Sequence, residues 1–472
     1  MKRIIYLTAV LLIGGMSLWS ASDLQAQRNA RYQKLSSGDQ RPSQFFDFIV
    51  LPGETNETVT FASVYSFSYR YLPFKKLNSP AANKEGKAFF SPVNLIMEVF
   101  NSNENQLKNG GASVSVEQLN PAGRTFWEDS AYAETYEQTQ SEQNFLYGNI
   151  GMELQPGIYT YVLQLKRGER TESRLSRTRT LRIEPYSDME VGNVLLGEEL
   201  YDNQQNQSRL KLMSMGNNVK FGSDFYAFAY IPEYNPKASY TLSVNQLNNS
   251  AAEDTSEGKQ VFNYELEQKD IRQGLRPELI SNDKNENLVQ LTTDVGGFTY
   301  ALVNIPNSTF QNAGYRLTLR DENNKTVART TFRSMWIDMP RSLLSLDMAI
   351  DMLGYIVDDQ TIGRLSEGSN EARERKFRDF WQERDPTPKT EYNELMAEYY
   401  RRIDYAYQHY STSNAIGYES DQGRIYIRFG PPDNIERKFP TSGSTVEIWS
   451  YPNREFVFRA TSGFGDFRLI SE

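Results

Sequence analysis

Short segments in which apolar and polar residues alternate make up most of the chain from about residue 45 to residue 340. Side chains on a β-strand point alternately to the two faces of a sheet, so this period of two predicts strands. Residues 45–51 form one such segment before Pro52-Gly53, and residues 157–165 form another after Pro156. No helical spacing separates these segments. The pattern therefore predicts all-β sandwich domains of the immunoglobulin-like type.

The alternating segments fall into two runs, which we interpret as two β-sandwich domains at residues 45–186 and 187–340. The sequence at residues 177–182 resembles that at residues 328–333, and each is followed by a proline and a leucine-rich stretch. An offset of about 150 residues is what a duplicated domain would produce. An edge strand of alternating arginine and threonine would look the same without any duplication, so both interpretations remain open.

The spacing of apolar residues changes to three and four in the last part of the chain, which predicts helices. We expect one helix over residues 343–355, a second from Asn370, and a long third helix that is capped by Thr390 and reaches Tyr410. The period of two then returns at residues 424–429, 446–449 and 456–459, which predicts strands. Residues 341–472 are therefore expected to form an α+β domain in which helices pack on a small antiparallel sheet.

The first residues have the layout of a secretory signal peptide. Lys2 and Arg3 precede an apolar run at residues 4–19, and small and polar residues follow up to Ala26. The alternative is an N-terminal membrane anchor, but the run is shorter than the roughly 20 residues that a spanning helix needs. We expect a signal peptide at residues 1–26, a linker at residues 27–44, and no transmembrane segment after cleavage. The mature protein would lie in the periplasm, at the outer membrane or outside the cell.

Composition narrows the possible chemistry. The chain has no cysteine and a single histidine, His409, so thiol catalysis, disulfides, a lipidated cysteine and histidine-rich metal sites are excluded. The net charge is −9, or −10 without residues 1–26, and this acidic balance argues against nucleic acid as a partner. The sequence contains no phosphate-binding or dinucleotide-binding motif. We therefore expect no metal and no cofactor.

A series of landmarks marks the last hundred residues. They are Phe380-Trp381, Asp385-Pro386, Gly417-Tyr418-Glu419-Ser420-Asp421, Gly430-Pro431-Pro432-Asp433 and Gly463-Phe464-Gly465-Asp466. Their order and spacing resemble the GWxTD-domain proteins of Gram-negative bacteria. In this chain Tyr418 stands where the family has tryptophan, and Ser420 stands where it has threonine. The family has no established biochemical activity, so the resemblance implies a C-terminal domain and a cell-envelope location but no reaction.

The motif residues have a structural explanation. Gly417 would turn the chain after the long helix, Ser420 or Asp421 would accept backbone N–H groups, and Gly423 would supply a positive φ before the next strand. Gly430, Pro431, Pro432 and Asp433 would end that strand, because proline cannot donate to a strand ladder.

The same part of the chain also offers candidate binding residues. They combine aromatic rings with arginines near the motif, and they are Tyr399, Arg401, Arg402, Arg424, Arg428 and Trp449. Asp421 and Asp433 would flank one strand.

Three functions fit these residues. The first is an exported, non-enzymatic protein with a structural or interaction role, which docks through the C-terminal domain with another envelope protein. The second is a module that binds a glycan or a peptide. The third is a hydrolase that uses Asp421 and Asp433 as acid and base. Acidic residues and arginines at strand ends usually form salt bridges and caps, so a non-enzymatic role is the favoured interpretation.

Overall fold

The structure is a computed structural model. It describes residues 32, 34–35, 41–77, 86–108, 116–168, 174–202, 208–248, 257–281, 286–412, 415–441, 443–461 and 465–472. The predicted signal peptide, most of the predicted linker and Gly463-Phe464 lie outside the described residues. The chain divides into two compact units. We call residues 41–338 and 387–392 the β unit, and residues 339–386 and 393–472, with the described residues before 41, the C-terminal unit.

Two antiparallel sheets make up the first half of the β unit. One has the strand order β1-β2-β6, and in the other β4 lies between β5 and β7. The strands are β1 (Gln44–Pro52), β2 (Val59–Ser68), β3 (Lys75–Lys76), β4 (Phe89–Asn101), β5 (Pro121–Ala133), β6 (Phe145–Leu154), β7 (Gly157–Arg167), β8 (Arg174–Leu175) and β9 (Arg179–Ile183), with short helices α1 (Glu104–Lys108) and α2 (Tyr136–Thr139). Among the described strands, β5 pairs only with β4.

The second half of the β unit contains a closed six-stranded barrel and a five-stranded sheet. Its strands are β10 (Val194–Asp202), β11 (Ser208–Leu212), β12 (Val219–Lys220), β13 (Phe225–Tyr230), β14 (Tyr240–Leu247), β15 (Glu257–Glu265), β16 (Ile271–Ser281), β17 (Asn287–Thr293), β18 (Phe298–Ile305), β19 (Gly314–Asp321) and β20 (Thr326–Met335). The barrel follows the order β10-β11-β17-β16-β18-β13, and the sheet follows the order β12-β20-β19-β14-β15.

The core of the β unit runs across the expected boundary at residue 187. One hydrophobic cluster includes Tyr65 and Leu95 from the first half together with Phe228 and Val289 from the second. Burial of apolar surface in a shared core joins the two halves into one compact unit. The division into two domains at this residue stays a prediction. The coarser expectation of several β-sheets before a smaller part with helices is confirmed, since 46% of the residues are in strands.

Among the described residues after 340, five α-helices and one sheet build the C-terminal unit. The helices are α3 (Leu346–Met352), α4 (Asp359–Ser366), α5 (Asn370–Gln382), α6 (Glu394–Tyr410) and α7 (Asp421–Phe429). The sheet has the antiparallel order β21 (Asn434–Lys438), β22 (Val446–Tyr451), β23 (Arg454–Ala460), β24 (Phe467–Ser471). Within the part of the chain that the structure describes, no helix combines the length and apolar character needed to cross a membrane.

The helices predicted in the C-terminal unit are present, and one of them has a different N-cap from the one expected. α5 begins at Asn370 and buries Phe377, Phe380 and Trp381, as the apolar spacing predicted. The long helix α6 ends at Tyr410, but Asn393 caps it instead of Thr390, because the Asn393 side chain accepts the backbone N–H of Met396 at 2.8 Å. Thr390 lies in the segment 387–392, which belongs to the β unit.

Candidate functional site

The motif at residues 417–421 forms a tight turn that starts helix α7. Residues Gly417–Glu419 make one turn of 3₁₀ helix, and Ser420 is the N-cap of α7. The Ser420 hydroxyl donates to the carbonyl of Gly417 at 2.7 Å and accepts the backbone N–H of Gly423 at 3.0 Å. A hydroxyl at this position therefore closes the turn and satisfies one of the free N–H groups of the helix.

The two glycines of this turn are needed for space. A Cβ on Gly417 would lie 2.0 Å from the carbonyl oxygen of Ala406, and a Cβ on Gly423 would lie 1.9 Å from the carbonyl oxygen of Gly417. Both distances are far inside van der Waals contact. The expected positive φ at Gly423 is wrong, because this residue lies in the first turn of a helix. Its missing side chain instead lets the helix approach the preceding turn.

The strand predicted at residues 424–429 is also wrong, since these residues belong to helix α7. Ser420 caps the N-terminus, and Gly430, with φ of 81°, ends the helix. Both signals favour a helix over an alternating apolar pattern of only six residues. Gly430 and Pro431 therefore follow a helix and not a strand, and Asp421 and Asp433 do not flank a strand.

Asp421 and Asp433 take different positions. Asp421 opens α7, and its carboxylate accepts the backbone N–H of Leu469 in β24 at 2.9 Å. Asp433 is exposed, and its backbone N–H donates to the carbonyl of Ser450. Of the two prolines that precede Asp433, Pro431 is exposed and Pro432 is half-buried. The carboxylate of Asp421 therefore anchors the last strand, and the hydrolase hypothesis stays a prediction.

Three aromatic residues of the predicted site belong to the core. Tyr418 and Trp449 are 0% exposed and Tyr399 is 7% exposed. The ring of Tyr418 stacks on Tyr407 with centroids 5.9 Å apart, and the hydroxyl of Tyr399 donates to the carbonyl of Met352. Rings that are enclosed in this way have no face for a ligand, so they are not the stacking surfaces that we expected.

Trp449 is part of a buried polar network that the sequence did not predict. Its indole N–H donates to a carboxylate oxygen of Glu447 at 2.7 Å, and Gln422 donates to the same oxygen at 2.8 Å. The other oxygen of Glu447 accepts from Arg437 at 2.8 Å. Glu447 is 3% exposed, so these three donors take the place of the water molecules that would otherwise hydrate its carboxylate. The network ties α7 to β21 and β22.

No pattern along the sequence indicated the network. Glu447 and Trp449 alternate with Val446 and Ile448, and the apolar pair would be placed inside by composition alone. The structure buries Glu447 and Trp449 and leaves Val446 and Ile448 half-buried. A second buried carboxylate, Asp404, accepts the backbone N–H groups of Arg341 and Ser342, and burial raises its pKa.

Two half-buried arginines of the predicted site share one carboxylate. Arg401 and Arg402 donate to opposite oxygens of Glu398, at 3.1 and 2.8 Å. The guanidinium of Arg402 also lies against Gly430, where an added Cβ would be 3.0 Å from it. Arg424 and Arg428 are exposed on α7.

An aromatic surface lies beside Arg402. Tyr405 is 38% exposed and stacks on Tyr426 and on His409, with centroids 4.4 and 4.0 Å apart. The pKa of Tyr426 is raised to about 12, mainly by burial and also by Tyr405 and Glu398, while Arg402 lowers it. We call Tyr405, His409 and Tyr426 the tyrosine stack. The structure therefore brings Arg402 together with aromatic rings, although these are not the rings that the sequence suggested.

Strand β21 forms one edge of the C-terminal sheet. All five of its residues are exposed, and among the described strands it pairs only with β22. Ile435 is 51% exposed, and Phe439, directly after the strand, is 74% exposed. Ile435 lies opposite Trp449 in the register, so the apolar face of the sheet continues to its uncovered edge.

Two open cavities of about 450 and 230 Å³ are lined by residues of the β unit. None of the predicted site residues lines either cavity. Within the described ranges, no group of three or more acidic, histidine or cysteine residues is arranged to hold a metal ion.

Comparison with known proteins gives one matching family and a number of distant structural likenesses. A search of curated proteins finds no match. A bacterial adhesin from Mobiluncus mulieris shares 8% identity and covers 60% of this chain and 81% of its own, with a TM-score of 0.15. A type II cohesin dyad from the scaffoldin ScaA of Acetivibrio cellulolyticus shares 10% identity and covers 61% of this chain and 93% of its own, also with a TM-score of 0.15. At these scores neither likeness carries an argument.

The sequence model of the GWxTD domain matches residues 315–465. The match begins in β19 and includes β20, so it starts before residue 341, where we expected the domain. It contains the turn at residues 417–421 and the helix α7 that this turn starts. The chain therefore carries a GWxTD domain, as the resemblance of its C-terminal landmarks predicted.

Proposed function

We propose that this is an exported protein of the cell envelope that docks with another envelope protein through its GWxTD domain. The signal-peptide layout of residues 1–26 supports export. The β unit would present the domain as two immunoglobulin-like sandwiches. Its strand pairs support this division, because each described pair joins strands within residues 44–183 or within residues 194–335.

The observation that carries the docking proposal is the uncovered edge at β21. The outward N–H and C=O groups of an edge strand can pair with a further strand, which is a common way to bind an extended peptide. Ile435 and Arg437 lie on the face that buries Trp449 and Glu447, and Phe439 follows Arg437 by two residues, directly after the strand. A partner strand added here would therefore meet two exposed apolar side chains separated by a positive charge.

This arrangement defines the partner segment. Arg437 is bonded to Glu447 but its side chain remains 55% exposed, so a second carboxylate can approach it. An extended segment with an acidic residue between two apolar residues, each two positions apart, would complement Ile435, Arg437 and Phe439. We propose such a segment of an envelope protein as the occupant of the β21 edge.

The experiment places a photo-crosslinking amino acid at Phe439 in the full-length chain and repeats it at Leu395. Leu395 is a matched control, because it is 49% exposed and lies on α6 of the same unit. We expect a discrete adduct from position 439 that disappears when Ile435→Lys is added. Mass spectrometry of the adduct should map it to an extended segment of the partner, and hydrogen exchange should show new protection of β21 amides. Equal adducts from both positions, or no change at β21, would refute docking at this edge.

The glycan-binding alternative is favoured by a different observation, the tyrosine stack beside Arg402. Exposed aromatic rings next to a hydrogen-bonding cation are typical of sites that hold sugars, because ring faces pack against the apolar faces of sugars. NMR titration of the full chain with soluble envelope glycan fragments tests this function. We expect Tyr405→Ala to abolish binding and Tyr136→Ala, an exposed tyrosine of the β unit, to leave it unchanged.

A further inference from the structure

Strand β5 is a long edge strand in the β unit. It has thirteen residues and pairs with β4 from Ala133 back to Pro121, with one irregularity near Gly123. Its other edge faces away from β4, and no described strand pairs with it. Near the C-terminal end of β5, Tyr69 hydrogen-bonds the backbone of Tyr132. The stretch from residue 122 to residue 130 pairs with β4 on one side only, and its Gly123 and Trp127 lie against Met152 and Gly148 of β6, which does not pair with it.

Three residues on one face of this stretch stand out. Phe126 is 74% exposed, although phenylalanine is normally buried. Arg124 and Glu128 lie two residues before and after it on the same face, and both are exposed. Among the described residues, Arg124 forms one ion pair, a contact of 3.4 Å to Glu98, and its side chain remains 63% exposed.

The order of these residues is self-complementary. In an antiparallel pair of two β5 strands centred on Phe126, each residue faces the residue at the same distance on the other side of the centre. Arg124 of each copy then lies opposite Glu128 of the other, and the two Phe126 rings face each other. We propose that β5 is a homodimer interface, in which the β5 strands of two copies of this chain pair antiparallel about Phe126.

The charges select this arrangement over others. A parallel pairing in register would place Arg124 opposite Arg124, and like charges directly opposite destabilise a strand pair. A shift by two residues in either direction would leave each charge opposite Phe126 or an uncharged residue. Charged residues on an edge normally discourage pairing between sheets. In this single register they attract, and the two-fold symmetry produces each Arg–Glu contact twice.

The first test exchanges the charges in the full-length chain and measures self-association by sedimentation equilibrium. Arg124→Glu alone and Glu128→Arg alone should each weaken the dimer about tenfold, because each turns two attractive contacts into repulsive ones. An equimolar mixture of the two variants should recover the dimer, since all four charges are then matched across the heterodimer. Intrachain effects, such as the contact of Arg124 with Glu98, do not change on mixing. A monomeric wild type at about 100 μM, or no recovery in the mixture, would overturn the proposal.

The second test uses the absence of cysteine from the chain. Directly opposed residues of an antiparallel pair have Cβ atoms about 4.5–5.5 Å apart, near the range that a disulfide requires. Phe126→Cys should therefore form a disulfide-linked dimer on mild oxidation. Val295→Cys, at a fully exposed turn of the same unit, should not. Equal crosslinking at both positions, or attachment of position 126 to a different protein in cells, would contradict pairing with a second copy.

Discussion

The substitution Gly423→Ala introduces two physical effects that change the stability of helix α7 in opposite directions. Gly423 lies inside helix α7, where alanine is more favourable than glycine by about 1 kcal/mol. The new Cβ, however, would lie 1.9 Å from the carbonyl oxygen of Gly417. Normal contact requires more than 3 Å, so the turn at residues 417–419 must move by more than an ångström, as a rough estimate from van der Waals radii.

We expect the steric effect to win. Overpacking of this kind costs about 1–3 kcal/mol, and displacement of the turn also weakens the Ser420 cap, which contributes about 1 kcal/mol. After the gain in helix propensity, the variant should be less stable by about 2 kcal/mol. Gly363→Ala is the matched control, because Gly363 lies in helix α4 with no atom within 4 Å of its added Cβ. That substitution should stabilise its helix by up to about 1 kcal/mol.

Hydrogen exchange with mass spectrometry can follow each helix in the full-length protein. We expect α7 amides to exchange about 30-fold faster in Gly423→Ala, which corresponds to 2 kcal/mol, and α4 amides to exchange more slowly in Gly363→Ala. If α7 amides of Gly423→Ala exchanged at the wild-type rate or more slowly, the close approach of Gly423 to Gly417 would not explain the motif glycine.

Two further predictions concern buried carboxylates. Arg437→Ala removes the cation that is bonded to Glu447, which is 3% exposed, and should lower the free energy of unfolding by about 2 kcal/mol in urea titrations. The control Lys438→Ala should change this free energy by less than about 0.5 kcal/mol, because its partner Glu436 is exposed. Burial raises the pKa of Asp47 to about 6, above its ordinary value, so its stabilising effect is present at low pH and is lost as the pH rises through 6. Between pH 4 and 7 the wild type should therefore lose about 2 kcal/mol relative to Asp47→Asn, and parallel pH profiles of the two proteins would contradict this.

Local sequence patterns predicted the elements whose periodic pattern is long or is bounded by turn residues. The helix from Asn370 and the helix ending at Tyr410 carry three or more turns of apolar spacing, and β1 and β7 carry clear alternation before and after turn residues. Residues 424–429 were too short for periodicity to decide, and the cap at Ser420 and the glycine at Gly430 made them a helix. Asn393 and not Thr390 is the N-cap of α6, because residues 387–392 belong to the β unit.

The sequence by itself determined the type of most elements, the GWxTD landmarks and the exclusion of thiol and disulfide chemistry, because these depend on residue identity and on spacing along the chain. Only the tertiary structure decided that Tyr418, Tyr399 and Trp449 are core residues and that Glu447 is buried with three donors. It also decided which strands are edges, and hence that Phe126 and Phe439 are exposed. These properties depend on which distant segments come together, and a residue's own neighbours in sequence carry no record of that.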